Sequence, residues 1–241
     1  KEFDNIFSDL FLRDSALYRE IVKTLVSGPK EPLEICKVLN ITQTGRFSQY
    51  LEELELAGFI KRDYAWHIAS GQDSKLSKYR LSDNYLRFYL KYIHKNLSKI
   101  ARDSFAIKSL SSLPELQTIL GLQFENLVLN NRKEMHKKLG LRAEDIVSEN
   151  PYFQRATKNQ PGCQIDYMIQ TKFNTLYLCE IKFSKNPVDN AVIDEVHQKI
   201  DRLKIPRAYS IRPVLIHVNG VQDTVQDADF FAAIIDFGSL M

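Results

Sequence analysis

The sequence predicts a mixed α/β protein with a helical N-terminal part and an α/β C-terminal part. Apolar residues recur at helical spacing between residues 17 and 57, whereas short, nearly continuous apolar segments follow one another after residue 145. The chain has 241 residues, 44% hydrophobic and 26% charged, which is enough for two small domains. We expect these domains at 1–82 and 115–241, joined by a helical connector at 83–114.

Composition limits the class of protein and its surroundings. No apolar run approaches the ~18 residues of a membrane-spanning helix and no signal peptide is evident, so we expect a cytoplasmic protein without a membrane partner. Three widely spaced cysteines inside apolar patterns, Cys36, Cys163 and Cys179, are predicted to be reduced core residues. The chain starts at Lys1 without a methionine, so we expect a fragment of a longer protein.

The charge distribution permits a nucleic-acid partner without requiring one. The net charge is only +3, yet residues 72 to 108 contain nine basic and three acidic residues. The phosphate-binding pattern GxxxxGK[ST] does not occur in the sequence, so these residues carry no ATPase motif.

The N-terminal pattern is typical of a winged helix-turn-helix. A first helix over residues 17–26 ends at Gly28, and a second follows Pro32. The third is predicted over Gln43 to Ala57 with Thr42 as its cap. After Gly58 the period changes to two strands around a polar loop, which indicates a wing.

In a DNA-binding winged helix, the third helix enters the major groove and the wing contacts phosphates. The candidate contacts are the polar and basic residues of those two elements: Arg46, Gln49, Lys61, Arg62, Lys75 and Lys78. Glu52, Glu53 and Glu55 put negative charge on the same third helix. Docking between domains, without DNA contact, therefore remains an alternative function for this module.

Residues 83–100 are predicted to be one helix with interleaved aromatic and basic side chains. Tyr85, Phe88, Tyr89 and Tyr92 could stack on single-stranded nucleic acid. The alternative is that the aromatic side chains form a buried seam while the cations, Arg87 among them, face solvent.

The candidate catalytic residues lie in the C-terminal part. Strand segments predicted at 163–169 and 176–183 would form a hairpin around the loop at 172–174, with Asp166 opposite Glu180. Glu180 and Lys182 are two residues apart, so they project from the same face. Two adjacent carboxylates can share one hard cation. A plain ion pair with Lys182 would also satisfy these charges.

An acidic residue also precedes this hairpin. Glu125 lies beside the apolar stripe of a helix predicted over Gly121 to Leu139, and it is either a solvated flank residue or a third acid of the site. Further elements are predicted as two short strands in 146–156, a helix at 188–203, and strands at 212–218 and 229–237. Helix, three strands, helix and strand make an α/β sandwich.

Asp166, thirteen intervening residues and GluIleLys at 180–182, with Glu125 upstream, resemble the PD-(D/E)xK nuclease superfamily, the fold of restriction endonucleases. The proline of that motif is replaced by Ile165. The whole chain is similar to the C-terminal portion of archaeal-type AAA+ ATPases also found in bacteria, in which a winged helix and a nuclease-like domain follow the ATPase. Four segments carry this similarity: 7–18, 78–89, 121–128 and 179–184.

The resemblance implies a restriction-endonuclease-like sandwich at 115–241 and Mg²⁺ or Mn²⁺ as cofactor. It implies that Asp166 and Glu180 hold the metal, with help from Glu125 and the carbonyl of Ile181, and that Lys182 activates water. Gln198, on the following helix, lines the cleft in some relatives. The implied partners are DNA and an AAA+ ATPase domain in cis.

Three functions are compatible with these residues. The first is metal-dependent hydrolysis of DNA, coupled through the winged helix to an ATPase outside this chain. The second is a nuclease fold without catalysis that binds DNA or regulates the ATPase. The third is a transcription regulator that binds an operator through the winged helix, which leaves the C-terminal acids unexplained.

Overall fold

The computed structural model describes Asp9, residues 14–107 and residues 109–240. The described residues form two compact units: one extends to Asp63 and resumes at Ser77–Ile119, and the other contains Tyr64–Leu76 and the chain from Leu120 onward. Helices and sheets are both present, so the mixed α/β class is confirmed. Within the described ranges, no helix is both long enough and apolar enough to cross a membrane.

Three helices and a two-stranded sheet come first along the chain: α1 (Ser15–Thr24), α2 (Pro32–Leu39), α3 (Gly45–Leu56), β1 (Ile60–His67) and β2 (Gln72–Leu81). Fully buried apolar residues on α1 and α3, such as Ile21 and Leu54, hold the helices together. The prediction of Thr42 as the cap of the third helix is wrong. The hydroxyl of Thr44 accepts from the N–H of Phe47 at 3.3 Å, because Thr44 is the extended residue directly before the helix. Residues 7, 8 and 10–13 of segment 7–18 lie outside the described residues.

The helix predicted over 83–100 is not uniform. It divides into α4 (Asn84–Phe88), a π-helical turn (Tyr89–Ile93), a 3₁₀ turn (His94–Asn96) and α5 (Leu97–Ala101). Leu90 and Tyr92 are buried, and the Tyr92 hydroxyl donates to the carbonyl of Pro114 at 2.8 Å. Tyr85, in contrast, is 74% exposed. The aromatic residues of this segment therefore divide between the core and the surface.

Arg87, expected on a solvated face, is buried with 1% of its surface exposed. Its guanidinium donates to the carbonyls of Val26 at 2.9 Å and Leu81 at 3.0 Å. These bonds link α4 to the segment that follows α1 and to the last residue of β2. Burial is favourable here because backbone carbonyls accept from the charged group.

We expect Arg87→Ala to lower the free energy of unfolding by about 3 kcal/mol, because the buried carbonyls lose a charged donor and a cavity forms. Urea denaturation of Arg87→Ala beside Arg102→Ala, which removes an exposed arginine, measures this effect. Equal stability of the two variants would show that the hydrogen bonds of Arg87 make no net contribution to the free energy of unfolding.

The second unit is built on a five-stranded sheet in the order β3-β4-β5-β6-β7. The β3–β4 and β4–β5 pairs are antiparallel, whereas β5–β6 and β6–β7 are parallel. The strands are β3 (Ile146–Gln154), β4 (Cys163–Thr171), β5 (Thr175–Phe183), β6 (Ser210–Val218) and β7 (Ala233–Asp236), and the helices are α6 (Leu116–Asn130), α7 (Arg132–Leu139), α8 (Ala191–Arg202) and α9 (Asp223–Asp227).

Each side of this sheet has its own apolar cluster. Phe124, Val128 and Met135 of α6 and α7 pack with one set of strand residues. Val192 and Val196 of α8 pack with the other set. Two covered faces explain why β5 and β6 are apolar on both sides. The three cysteines are buried and free, as predicted.

Three predicted elements in this unit are wrong. The helix predicted over Gly121 to Leu139 is interrupted at Asn131, whose side-chain amide donates to the carbonyl of Leu127 at 2.8 Å and competes with the backbone ladder. Residues 146–154 form one strand rather than two short ones, and the strand predicted at 229–237 is only the four residues of β7.

The far half of the β1–β2 hairpin, Tyr64–Leu76, packs within the second unit although the sequence assigns it to the N-terminal domain. The Trp66 indole donates to the Gln170 side chain at 2.5 Å, and the Gln170 amide donates to the carbonyl of Ile68 at 2.8 Å. At the tip, the Ser148 hydroxyl donates to the carbonyl of Gly71 at 3.1 Å. Specific polar bonds thus fix this segment to β3 and β4.

Candidate functional site

The β4–β5 hairpin has the register that the sequence predicts. The paired residues run from Tyr167 opposite Cys179 to Gln170 opposite Leu176, and the same frame places Asp166 opposite Glu180. The chain reverses at 172–174, where Asn174 adopts a φ of 54°, a left-handed conformation that asparagine tolerates. The two carboxylates therefore lie on adjacent strands of the sheet.

A β-bulge sets the position of Asp166. Tyr152 pairs with Ile165 and Asn150 with Met168, so Asp166 and Tyr167 on β4 are opposite Pro151 alone on β3. Pro151 has no N–H to donate, and β3 is an edge strand, which is where a sheet accommodates proline. Bulges of this kind redirect a side chain and are common beside active sites.

Asp166 and Glu180 converge on one ammonium group. Lys199 Nζ is 3.6 Å from Oδ1 of Asp166 and also donates to Oε2 of Glu180. The second oxygen of Asp166 accepts from the N–H of Ile181 at 2.9 Å. Only 3% of the Glu180 side chain is exposed. The Lys199 ammonium therefore bridges two carboxylates at the point where a shared cation would bind.

Lys199 was not among the predicted site residues. Val192, Val196, Lys199 and Leu203 nevertheless follow the spacing i, i+4, i+7 and i+11 of a single helix face. Val192, Val196 and Leu203 are all in the core. A lysine in the middle of an apolar stripe is the signal that could have identified it.

Lys182 lies beside the pair and is itself held by acids. Its Nζ is 3.1 Å from Oε1 of Glu180 and also donates to Glu195 on α8. In the parallel β5–β6 register Lys182 is next to His217, so both project from the same face. His217 is 4% exposed, and burial lowers the pKa of its imidazole, opposed by Asp236. Neither Glu195 nor His217 was among the residues predicted for the site.

Burial and the neighbouring charges shift the pKa values of the residues in this site. Burial, followed by the Glu180 charge, raises the pKa of Asp166 to about 6, against the opposing effect of Lys199. For Lys199, burial acts to lower the pKa, but the Asp166 and Glu180 charges outweigh it and the pKa is raised. The pKa of Lys182 is raised in the same way, with Glu195 and Glu180 overcoming burial. Three acidic side chains, those of Asp166, Glu180 and Glu195, share this site with the two lysines.

The other residues expected here are arranged differently. Glu125 is on α6, whose apolar side covers the opposite sheet face, and no group of three or more His, Cys, Asp or Glu side chains arranged for a metal occurs in the described chain. The role of Glu125 as a third acid of the site stays a prediction. Gln198 is exposed on α8, and the His197 ring packs against Phe230 at 4.4 Å between centroids.

The candidate DNA contacts are divided between the two units. Arg46 and Gln49 are on the exposed side of α3, where Arg46 pairs with Asp14 at 2.6 Å and Gln49 donates to Glu53 at 2.8 Å. Arg62 is half-buried and donates to Ser77 at 3.0 Å. Lys61 and Lys78 are in the first unit with them, whereas Lys75 belongs to the hairpin segment of the second unit.

Comparisons with known proteins give limited similarity. No family model matches the chain. An uncharacterized protein of Methanocaldococcus jannaschii is 28% identical over 120 residues, which are 50% of this chain and 26% of that protein. The chain thus spans about a quarter of the length of the curated relative that it matches.

Two solved structures are similar to parts of the fold. A repair endonuclease from Pyrococcus abyssi matches 46% of this chain and 44% of its own, with a TM-score of 0.32 and 14% identity. A Vibrio cholerae protein matches 96% of this chain and 52% of its own, with a TM-score of 0.36 and 12% identity. Both TM-scores are too low to establish a common fold.

The donor set of the site suits a hard divalent cation. Two carboxylates that already bind one cationic group supply oxygen ligands, and Mg²⁺ commonly takes one or two carboxylates while keeping several waters. Lys199 is the competitor, because its ammonium contacts both carboxylates. The residues present therefore fit a metal, provided that the Lys199 side chain moves.

Proposed function

We propose that the second unit is a metal-dependent deoxyribonuclease of the PD-(D/E)xK type. The observation that carries the proposal is that Asp166 and Glu180, on adjacent strands, bind the same ammonium while Lys182 contacts Glu180 at 3.1 Å. We propose further that the first unit is a winged helix that binds DNA through α3, where Arg46 and Gln49 are exposed, and that an AAA+ ATPase domain in cis is its partner.

In this proposal Asp166 and Glu180 hold Mg²⁺ or Mn²⁺ through carboxylate oxygens. A divalent ion neutralises phosphate charge and acidifies a bound water. The N–H of Ile181 fixes the orientation of the Asp166 carboxylate through its 2.9 Å bond. Lys182, whose raised pKa keeps it protonated, offers an ammonium to the non-bridging oxygens of a phosphodiester. Glu195 holds this ammonium in position from α8.

The test incubates the purified chain with single-stranded, duplex and branched DNA, in the presence of Mg²⁺, Mn²⁺ or a chelator. Metal-dependent cleavage is expected on at least one substrate. Lys182→Ala is expected to lower the cleavage rate about 100-fold or more, because loss of one charge-stabilising group commonly has that effect. Metal affinity, measured by calorimetry, should change little in the same variant. Equal background cleavage by both proteins, with no detectable metal binding, would refute the proposal.

A second candidate function has its own supporting observation. In a module that binds DNA or regulates the ATPase without cleaving DNA, Lys199 would serve as a permanent counter-ion for Asp166 and Glu180, and no metal would be needed there. This candidate predicts DNA binding without metal dependence. Binding lost in Arg46→Ala but unchanged in Asp166→Ala would favour it.

A further inference from the structure

A cavity of about 490 Å³ opens on the side of the second unit where the β1–β2 hairpin packs against β3. Trp66, Tyr152 and Phe153 supply its aromatic walls, and Ile205 and Pro206 follow α8 along another side. Its volume is in the range of small-molecule sites in proteins, which extends from roughly 300 to 1,000 Å³. No step of the proposed hydrolysis uses this cavity.

Hydrogen bonds hold the cavity walls in place. The Gln154 amide donates to the carbonyls of Pro161 and Arg202, both at 2.8 Å, and its oxygen accepts from the N–H of Lys204 at 3.0 Å. On the hairpin side, the hydroxyl of Tyr209 donates to the carbonyl of Ile68 at 2.9 Å. The cavity is therefore framed by β3, the segment after α8 and the docked hairpin.

The formally charged side chains that line the cavity are all basic. Arg155 and Lys204 line it and are exposed, and no aspartate or glutamate is among the residues that line it. An aromatic interior with a cationic border suits a ligand that combines a planar apolar group with an anion. A base joined to a phosphate has this chemistry, since bases stack on aromatic side chains and guanidinium groups bind phosphate.

One wall residue of the cavity is paired next to the bulge at Asp166. Tyr152, a wall residue, pairs with Ile165, directly before Asp166. Trp66, Tyr152 and Phe153 belong to the same apolar cluster as Val192 and Val196 of α8, the helix that carries Lys199. A nucleotide in the cavity would therefore be bound beside the bulge that positions Asp166.

We propose that this cavity binds one nucleotide of a nucleic-acid strand, with the base against the aromatic walls and the phosphate near Arg155 and Lys204. The proposal deepens the proposed nuclease function and rests on it for the choice of ligand. Stacking makes such a subsite tolerant of sequence, because every base has an aromatic face.

The probes are deoxynucleoside monophosphates, with thymidine and deoxyribose 5-phosphate as the separate halves of the ligand. Trp66 is the single tryptophan of the chain, so its fluorescence reports on the cavity, and calorimetry gives an independent affinity. Saturable binding of the monophosphates is expected. Combined Arg155→Ala and Lys204→Ala substitutions should weaken it about tenfold or more while leaving thymidine binding unchanged.

Two further variants complete the test. Ala69→Leu adds bulk at an exposed lining position and should weaken both the monophosphates and thymidine, whereas Lys133→Ala, on exposed α7 surface, should change neither. Absence of monophosphate binding by both methods, or equal affinity in wild type and the Arg155 and Lys204 double variant, would overturn the proposal. Binding without any DNA cleavage would support the cavity while the proposed hydrolysis fails. Cleavage without binding would overturn the cavity alone.

Discussion

Asp166→Asn is expected to lower the rate of metal-dependent DNA cleavage about 1,000-fold or more. Asparagine keeps the size of the side chain but removes one of the two carboxylates that the proposed ion needs, and a bound metal supplies several kcal/mol of transition-state stabilisation, at about 1.4 kcal/mol per factor of ten. The thermal stabilisation that Mn²⁺ gives the wild type should also disappear. Single-turnover cleavage and thermal unfolding with and without Mn²⁺ measure the two effects.

The stability of Asp166→Asn without metal can also be predicted. Comparing it with the wild type distinguishes loss of activity from loss of the folded structure. The folded-state pKa of Asp166 is raised from 3.8 to about 6. The folded protein thus binds the proton of this carboxyl group more tightly than the unfolded chain does. Ionisation of Asp166 therefore lowers the free energy of unfolding as the pH rises from about 4 to 6. At pH 8 without metal, Asp166→Asn should therefore be at least as stable as wild type. Marked destabilisation of the variant at pH 8 would contradict this assignment.

The hairpin that carries the two carboxylates is the part of the site that local sequence determines. A three-residue loop with Asn174 at its left-handed position fixes the frame of β4 against β5. The two-residue period then places Glu180 and Lys182 on one face. The strand register, the loop conformation and the face from which the side chains project all depend on residues close together in the chain. Sequence reasoning could therefore identify them.

Contacts between distant segments account for the features that sequence reasoning missed. The bulge at Asp166 depends on pairing with β3, where Pro151 alone lies opposite two residues of β4. The burial of Arg87 depends on carbonyls contributed by Val26 and Leu81. A local pattern does not show which carbonyls the fold will bring to a cation, and a lysine or arginine on a helix is ordinarily solvated.

Lys199 combines a local signal with a non-local partner. Its helical position on the stripe of Val192, Val196 and Leu203 indicates that it faces the sheet. The carboxylates that it contacts lie on β4 and β5, so its partners follow only from the packing of α8 on the sheet. The proposed metal competes with this ammonium, which makes Lys199 a test of whether a cation can replace it.

Lys199→Met should therefore destabilise the metal-free protein and make it dependent on metal. Without the ammonium, Asp166 and Glu180 are left close together with Lys182 as the remaining cation, and removing one member of a buried ion pair costs about 3 to 5 kcal/mol. Because 24% of the Lys199 side chain is exposed, we expect a smaller loss of about 2 to 3 kcal/mol.

Divalent metal should reverse this loss, since a ligand that binds only the folded state adds about 2.7 kcal/mol at 100 times its dissociation constant. Urea unfolding with and without Mg²⁺ or Mn²⁺ measures both changes, and Arg202→Met, an exposed position on α8, is the matched control. Metal affinity should be higher in Lys199→Met than in wild type, because no ammonium has to leave the carboxylates. If metal stabilises neither protein while Lys199→Met unfolds more easily, then Lys199 is a permanent structural counter-ion, and the non-catalytic module becomes the better account of this chain.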